Sequence, residues 1–330
     1  MPSLQSRLLY LAMRYRHVLR FRLTREAWDW NTSIPDFRRE CEEANSRMAQ
    51  MPAGIEVIPV EIEALPAGLS AEWILPVGAM TDKVILYTHG GGYVSGSCTD
   101  HRAMVAKLVK GSGIAALLFD YRLAPEHPFP AALDDTLAVY RWLLDQDVPP
   151  EHIVIVGESA GGGLCLATLL ALRDQAMPLP RAAVAMSPYT DLKLTGESHQ
   201  TKARVCLSPP GMAVVCSKYY AGDNDPGLPY ISPLYGDLHG LPPLLIYVGD
   251  YETLLDDSTR FAAKAEAAGV EVTLRVGEGM VHCYPLLAPL FPEATQALAE
   301  ICAFINAQLA QAAEPVPAIA AVGESGQAVF

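Results

Sequence analysis

The sequence Ile153-Val154-Ile155-Val156-Gly157-Glu158-Ser159-Ala160-Gly161 runs four β-branched residues straight into a turn framed by two glycines. Residues 162–172 then carry a helical pattern. A buried strand, a sharp turn and a helix start are the setting in which G-x-S-x-G lifts a serine hydroxyl above the edge of a sheet. The serine must take a strained backbone conformation to do so. Gly157 and Gly161, without side chains, let strand and helix approach around it. An ordinary strand-to-helix turn with a serine near the N-cap would share this local sequence, so the surroundings decide.

Short β-branched and apolar runs recur from residue 53 onward: Ile55–Val60, Ala71–Leu75, Val84–Thr88, Ala115–Asp120, Ile153–Val156, Ala182–Ser187, Leu244–Val248 and Val272–Val276. Helix-length segments at 100–110, 132–146, 160–174, 255–268 and 293–311 separate most of the later ones. Continuous apolar runs with intervening helices specify a mostly parallel sheet covered on both faces, an α/β architecture. The first two runs have no helix between them and predict an antiparallel hairpin at the sheet edge. Residues 1–50, helical throughout, and 190–230, polar and Pro-containing with one helix near Met212–Tyr220, break the rhythm. Together they are expected to form a lid over the strand ends, where open α/β sheets bind ligands. Glu314–Phe330 mixes Pro, Ala and Gly without periodicity and reads as a tail outside the fold.

Seventy residues before the serine turn, His89-Gly90-Gly91-Gly92-Tyr93 follows the run Val84–Thr88. Consecutive glycines let backbone N–H groups converge on a developing negative charge without Cβ interference. Ala160 N–H, at a helix start, adds a donor at the positive end of the helix dipole. A phosphate cradle is the rival reading, but G-x-x-x-x-G-K-[ST] is absent.

Of eight histidines, His282 stands just past the last strand candidate, in Gly279-Met280-Val281-His282-Cys283-Tyr284, placed to take a proton from Ser159 and return it. His89 is expected to support the glycine loop and His127 to be structural, while His17, His101, His152, His199 and His239 lie in surface-like contexts. A carboxylate orienting His282 must follow the run Leu244–Val248, which leaves Asp250, Glu252, Asp256 and Asp257. Asp256 and Asp257 fall on the first turn of the next helix, where acids favour the dipole without any catalytic role. Glu252 lies nearer the strand end, with Asp250 and Asp256 as rivals, and the order Ser, acid, His is that of α/β-hydrolases.

Charge and composition narrow the chemistry. A net charge of −13 is the wrong sign for neutralising nucleic-acid phosphates. A hydrophobic content of 51% excludes global disorder. Seven cysteines, an odd number with no C-x-x-C, read as reduced thiols of a cytoplasmic protein. No apolar run approaches the ~20 residues of a membrane span. The start of the chain carries Arg7, Arg14, Arg16, Arg20, Arg22 and Arg25 with no acid before Glu26. Transit peptides and interfacial helices share that signature. The preferred reading is a folded helix whose stripe of Leu4, Leu8, Leu11, Tyr15 and Leu19 packs on the rest of the protein.

Taken together, the HGGG loop, GESAG, the stretch Asp120-Tyr121-Arg122-Leu123-Ala124-Pro125-Glu126-His127-Pro128-Phe129-Pro130-Ala131-Ala132 and the late acid and histidine loops resemble the bacterial hormone-sensitive-lipase-like esterases of the α/β-hydrolase fold. The likeness spans roughly residues 50–312. It implies an eight-stranded, mostly parallel sheet flanked by helices (51–189 and 231–312) and a helical cap from 1–50 and 190–230; 313–330 is left as the tail that composition indicates. It also implies Ser159, Glu252 and His282 as a catalytic triad, with Gly91, Gly92 and Ala160 as oxyanion donors. In the family the acid opens an Asp-x-Leu-x-Asp-like stretch; aligned on Asp256, that position here is Glu252, a mild departure since some members look similar in using Glu. Members hydrolyse short- to medium-chain carboxylic esters without metal or cofactor, and often dimerise through a sheet edge or the last helix. Tyr189, Leu207 and Met212 are then candidates to line an acyl or alcohol pocket. A non-catalytic small-molecule receptor on the same fold, and an amidase or peptidase using the same triad, are the contrasting readings. Keeping Ser159 and His282 together argues against the receptor. No stable membrane association is expected.

Overall fold

The computed structural model describes residues 2–14, 27–48, 50–79 and 81–311. Among the described residues, helices α1 (Leu4–Arg14) and α2 (Ile34–Met48) precede strands β1 (Ile55–Val60), β2 (Ala71–Pro76) and β3 (Val84–Thr88). Strand and helix then alternate: α3 (Cys98–Ser112), β4 (Ala115–Phe119), α4 (Ala131–Asp145), β5 (Ile153–Glu158), α5 (Ala160–Asp174) and β6 (Ala182–Met186). A single turn α6 (Ser198–Thr201) and helix α7 (Met212–Ala221) intervene before β7 (Leu244–Gly249), α8 (Leu255–Ala267), β8 (Val272–Gly277) and α9 (Pro292–Gln311).

The strands form one eight-stranded sheet ordered β1-β2-β4-β3-β5-β6-β7-β8. β1 pairs antiparallel with β2, and β2 with β4, while every pair from β4 to β8 is parallel. The hairpin at the edge is therefore where the missing helix placed it. Strands β3 to β7 are fully buried, which is why they read as unbroken apolar runs. Alternate residues still serve opposite faces. Ile153 and Ile155 of β5 pack in a core with Leu143 of α4, Leu164 of α5 and Phe261 of α8. Val154 and Val156 pack on the other side with Leu108 of α3 and Ile305 of α9.

A smaller apolar cluster joins the two stretches that broke the strand–helix rhythm. Trp28 and Ile34 pack with Val215 and Cys216 of α7 against Val94 and Ala124 of the sheet's loops. Trp28 sets its ring edge-on to Phe37, with centroids 4.6 Å apart, and its backbone N–H donates to the Pro210 carbonyl. Arg38 of α2 clamps this assembly down. Its guanidinium donates to the carbonyls of Val94 and Ala124 at 2.7 and 2.9 Å and forks onto the Glu126 carboxylate at 3.0 and 2.7 Å.

Helix α1 corrects an expectation. Leu4, Leu8 and Leu11 do not pack on the protein: they are 70%, 57% and 45% exposed. The helix is held by its other face. Ser3, just before it, and Ser6 hydrogen-bond to Glu293 of α9, and Tyr10 stacks on Tyr251 with ring centroids 4.3 Å apart. Helical periodicity identifies a stripe but not which stripe turns inward, and here a hydroxyl–carboxylate contact and a ring stack outcompete the leucines. Tyr15 and Leu19 of that stripe, and the tail at 313–330, lie outside the described residues. No described helix is long and apolar enough to cross a membrane.

Candidate active site

Strand β5 ends on Glu158, and Ser159 follows at φ 55°, ψ −121°, a region a non-glycine residue enters only when its surroundings force it. The force is visible. Ser159 donates its N–H to the Met186 carbonyl at 2.8 Å, continuing the β5–β6 pairing, while its own carbonyl accepts from Gly163 and Tyr189. A Cβ on Gly157 would lie 2.3 Å from the Gly161 carbonyl oxygen, and one on Gly161 would lie 2.0 Å from that of Thr88. Both positions thus exclude any side chain. Because the obstacle at Gly161 is backbone and cannot swing away, Gly161→Ala is expected to destabilise the fold by about 3 kcal/mol, read as a drop in the urea unfolding midpoint.

Above β3, the loop His89–Gly92 turns at Gly91 (φ 116°) and Gly92 (φ 66°). The Gly91 carbonyl is held by Ser95, whose N–H and hydroxyl both donate to it at 3.0 Å. Among the described residues, no acceptor in the protein takes the N–H groups of Gly91 or Gly92. Ala160 N–H stands at the first position of α5, where a helix has no internal acceptor. His89 is fully buried, bonds the Gly90 carbonyl through Nδ1 at 2.8 Å and stacks on Tyr121 with centroids 4.1 Å apart. It therefore props the glycine loop from below.

Of the four acids after β7, only Glu252 contacts His282 among the described residues. His282 Nδ1 lies 2.5 Å from Glu252 Oε2. Glu252 is fully buried, and its Oε1 accepts from Gly249 N–H at 2.6 Å and the Ser187 hydroxyl at 2.8 Å. Asp250 instead accepts from Gly279 N–H, and Asp256 from Ser198 N–H. Asp257 accepts from the N–H groups of Thr190 and Asp191 and pairs with His199. Burial works against a charged His282, but the adjacent Cys283 sulfur and the Glu252 carboxylate oppose it and the net shift is upward. Burial also pushes the Cys283 thiol up, so the thiol is neutral near pH 7 and the carboxylate is the cause that acts there. His282 Nε2 faces the Cys283 sulfur at 3.5 Å. Among the described residues no hydrogen bond joins His282 to the Ser159 hydroxyl; free active sites commonly form such bonds only once substrate is bound.

The pocket candidates separate. The Met212 methyl would lie 3.4 Å from a Cβ on Gly92, beside the unpaired N–H groups. Leu207 is half-buried against the apolar cluster containing Met280 and Val281, next to His282 in sequence. Tyr189 is buried, and its hydroxyl donates to the Ala213 carbonyl, tying α7 to the strand ends.

Three residues at the site escaped the sequence reading. Ser187, at φ 48°, donates to Glu252 and accepts from Cys283 N–H at 3.0 Å, so one hydroxyl joins the acid to the histidine loop. Its only signal was a serine closing the run Ala182–Ser187. His101, buried, and His199, half-buried, were assigned surface-like contexts, yet both pair with carboxylates. A histidine directly after an acid, as in Asp100-His101, was a readable cue.

A mostly parallel sheet with a strained serine turn, two unpaired glycine N–H groups and a histidine backed by a buried glutamate defines an α/β-hydrolase. A family model described as the alpha/beta hydrolase fold matches residues 85–286. An acetyl-hydrolase of Streptomyces hygroscopicus is 43% identical over 239 residues, covering 72% of this chain and 79% of that protein. A crystal structure of the esterase EstE5 soaked with p-nitrophenyl butyrate aligns at TM-score 0.84 and 40% identity, covering 93% of this chain and 99% of that one. An esterase from the bacterial hormone-sensitive lipase family aligns at TM-score 0.82 and 40% identity, over 94% and 99%. The chain belongs to the α/β-hydrolase fold family, in its bacterial hormone-sensitive-lipase-like branch. It is a carboxylic ester hydrolase.

Proposed function

We propose that Ser159 is the nucleophile, His282 its general base and acid, and Glu252 the carboxylate that orients the imidazole. The observation that carries this reading is the 2.5 Å contact between His282 and a Glu252 that is fully buried and already committed to two donors. So anchored, Glu252 holds the imidazole with its Nδ1 protonated and Nε2 available to take the serine proton. Ser159 Oγ attacks the ester carbonyl, and the carbonyl oxygen becomes an anion received by the N–H groups of Gly91, Gly92 and Ala160. Collapse expels the alcohol, which receives its proton from His282. Water activated by the same histidine then releases the acid.

The substrates are small esters with short- to medium-chain acyl groups. The acetyl-hydrolase relative and the EstE5 crystal soaked with a butyrate ester support that range, as does Met212 beside Gly92, which places an apolar wall close to the reacting carbon. Residues 1–50 and 190–230 act as the cap of a catalytic body formed by 51–189 and 231–312. A cytoplasmic setting is supported by seven cysteines that form no disulfide. A series of p-nitrophenyl esters from acetate to palmitate tests the substrate range. kcat/KM should be greatest at or below about eight carbons and fall at least about 100-fold by palmitate; a maximum at palmitate would refute it.

A further inference from the structure

Beneath the glycine loop lies a buried charged chain that ester hydrolysis does not itself require. Asp100, His101 and Glu158 are each less than 9% exposed. His101 Nδ1 lies 2.7 Å from Asp100 Oδ1, and His101 Nε2 lies 3.0 Å from Glu158 Oε1. The same Glu158 oxygen accepts the N–H of Gly90 at 2.6 Å. Glu158 immediately precedes Ser159, and Gly90 immediately precedes Gly91, so one carboxylate oxygen joins the serine turn to the glycine loop.

We propose that His101, bridging Asp100 and Glu158, is a positioning residue for the oxyanion hole: it holds Glu158 in the orientation that fixes Gly90 and thereby the N–H groups of Gly91 and Gly92. Both of its ring nitrogens face carboxylate oxygens, which only accept, so both must carry protons and the ring is an imidazolium. Burial works against that charge, but the hydrogen bonds to Asp100 and Glu158 outweigh it and raise the His101 pKa to about 10. The far end of the chain is equally fixed. Asp100 Oδ1 also accepts from Ser97 N–H at 2.7 Å while Ser97 Oγ accepts from Asp100 N–H, the reciprocal capping box that starts α3. His101 is thus set by a helix terminus rather than by a loop. The second oxygen of Glu158, Oε2, is buried and takes no hydrogen bond from the described residues. The bonds from His101 and Gly90 both meet Oε1, the buried Tyr87 hydroxyl is a further neighbour of the carboxylate, and among the described residues His101 is its only ion-pair partner. Without the imidazolium, the Glu158 carboxylate keeps the Gly90 N–H as its hydrogen-bond donor and has no ion-pair partner among the described residues. A buried carboxylate stripped of its ion-pair partner turns toward other polar groups, and Gly90 then loses its fixed acceptor.

The inference rests on Ser159 and the glycine N–H groups acting as proposed above. Its test is His101→Leu, with His101→Gln keeping one N–H donor toward Glu158. Active sites are counted with a phosphonate ester that labels the serine, and kcat and KM are then measured per labelled site with p-nitrophenyl butyrate. Affinity for a trifluoromethyl ketone, which forms a tetrahedral oxyanion, is measured alongside. His101→Leu should lower kcat per labelled site by about 10- to 100-fold with KM within about twofold, weaken the ketone by a similar factor, and be partly rescued in His101→Gln. A merely structural histidine would lower the number of labelled sites and leave kcat per site and ketone affinity at parent values, and that result overturns the proposal. If His101→Leu does not fold, His101→Gln decides: the same split at smaller amplitude supports it, and parent values in all three measurements overturn it. Should Ser159→Ala still label and turn over, the triad reading itself falls. Should Ser159→Ala be inert while His101→Leu retains parent kcat, only the role of His101 falls.

Discussion

Ser159→Ala is expected to lower kcat for p-nitrophenyl butyrate by about a millionfold and to abolish labelling by a phosphonate ester. The size follows from what is removed. Without the hydroxyl there is no acyl-enzyme, and the remaining path is direct attack by water, helped only by the oxyanion donors and substrate binding. The backbone at 159 stays in its strained conformation, because the bonds that impose it come from Met186, Gly163 and Tyr189 and do not involve the side chain. KM should therefore change little. Turnover within about tenfold of the parent would remove Ser159 from the mechanism.

The next largest effect is expected of Glu252→Gln, a loss of about 10⁴-fold in kcat. Gly249 N–H and the Ser187 hydroxyl both point at Oε1, so a glutamine places its carbonyl there and turns its NH₂ toward His282. Nδ1 must then accept, the proton moves to Nε2, and the base is lost by tautomer rather than by displacement. The pH dependence separates this from simple damage. His282 must be neutral to act, and the Glu252 carboxylate helps hold its pKa above the usual histidine value, so the acidic limb of kcat/KM lies above about pH 6.5 in the parent. Removing the negative charge lets the imidazole deprotonate sooner, and the limb should move to lower pH. Asp256→Asn should cost far less, since Asp256 holds Ser198 and makes no contact with His282; the opposite ranking would reassign the acid.

The parts of this architecture that announced themselves in the sequence share a cause. Parallel strands sealed by helices on both faces must be apolar at every position, so β3 to β7 stood out as unbroken runs. The serine turn was legible because steric exclusion demands glycine at 157 and 161 whatever surrounds them. The proposed triad residues could be ordered along the chain because each follows a strand. Contacts between distant segments carried no such mark. Nothing local to Ser187 says that its hydroxyl meets Glu252, 65 residues away. Leu4, Leu8 and Leu11 have the spacing of a buried stripe, yet the helix docks by Ser6 and Tyr10, and the choice rests on Glu293 and Tyr251 at the other end of the chain. His101 was misplaced for a related reason: an α3 residue faces inward only because Glu158, from a different strand, is there to receive it.

Arg38 has a practical corollary for anyone reshaping this enzyme. Its guanidinium grips Val94 and Ala124 from a helix more than fifty positions upstream, so α2 and the loops after β3 and β4 share one fastener. Swapping in a foreign N-terminal segment to widen the entrance, without an arginine at that spot, would unpin the stretch that follows the three glycines. Such chimeras should lose speed on every ester alike before they gain any new preference, and redesign is better begun from α7, which lacks that tether.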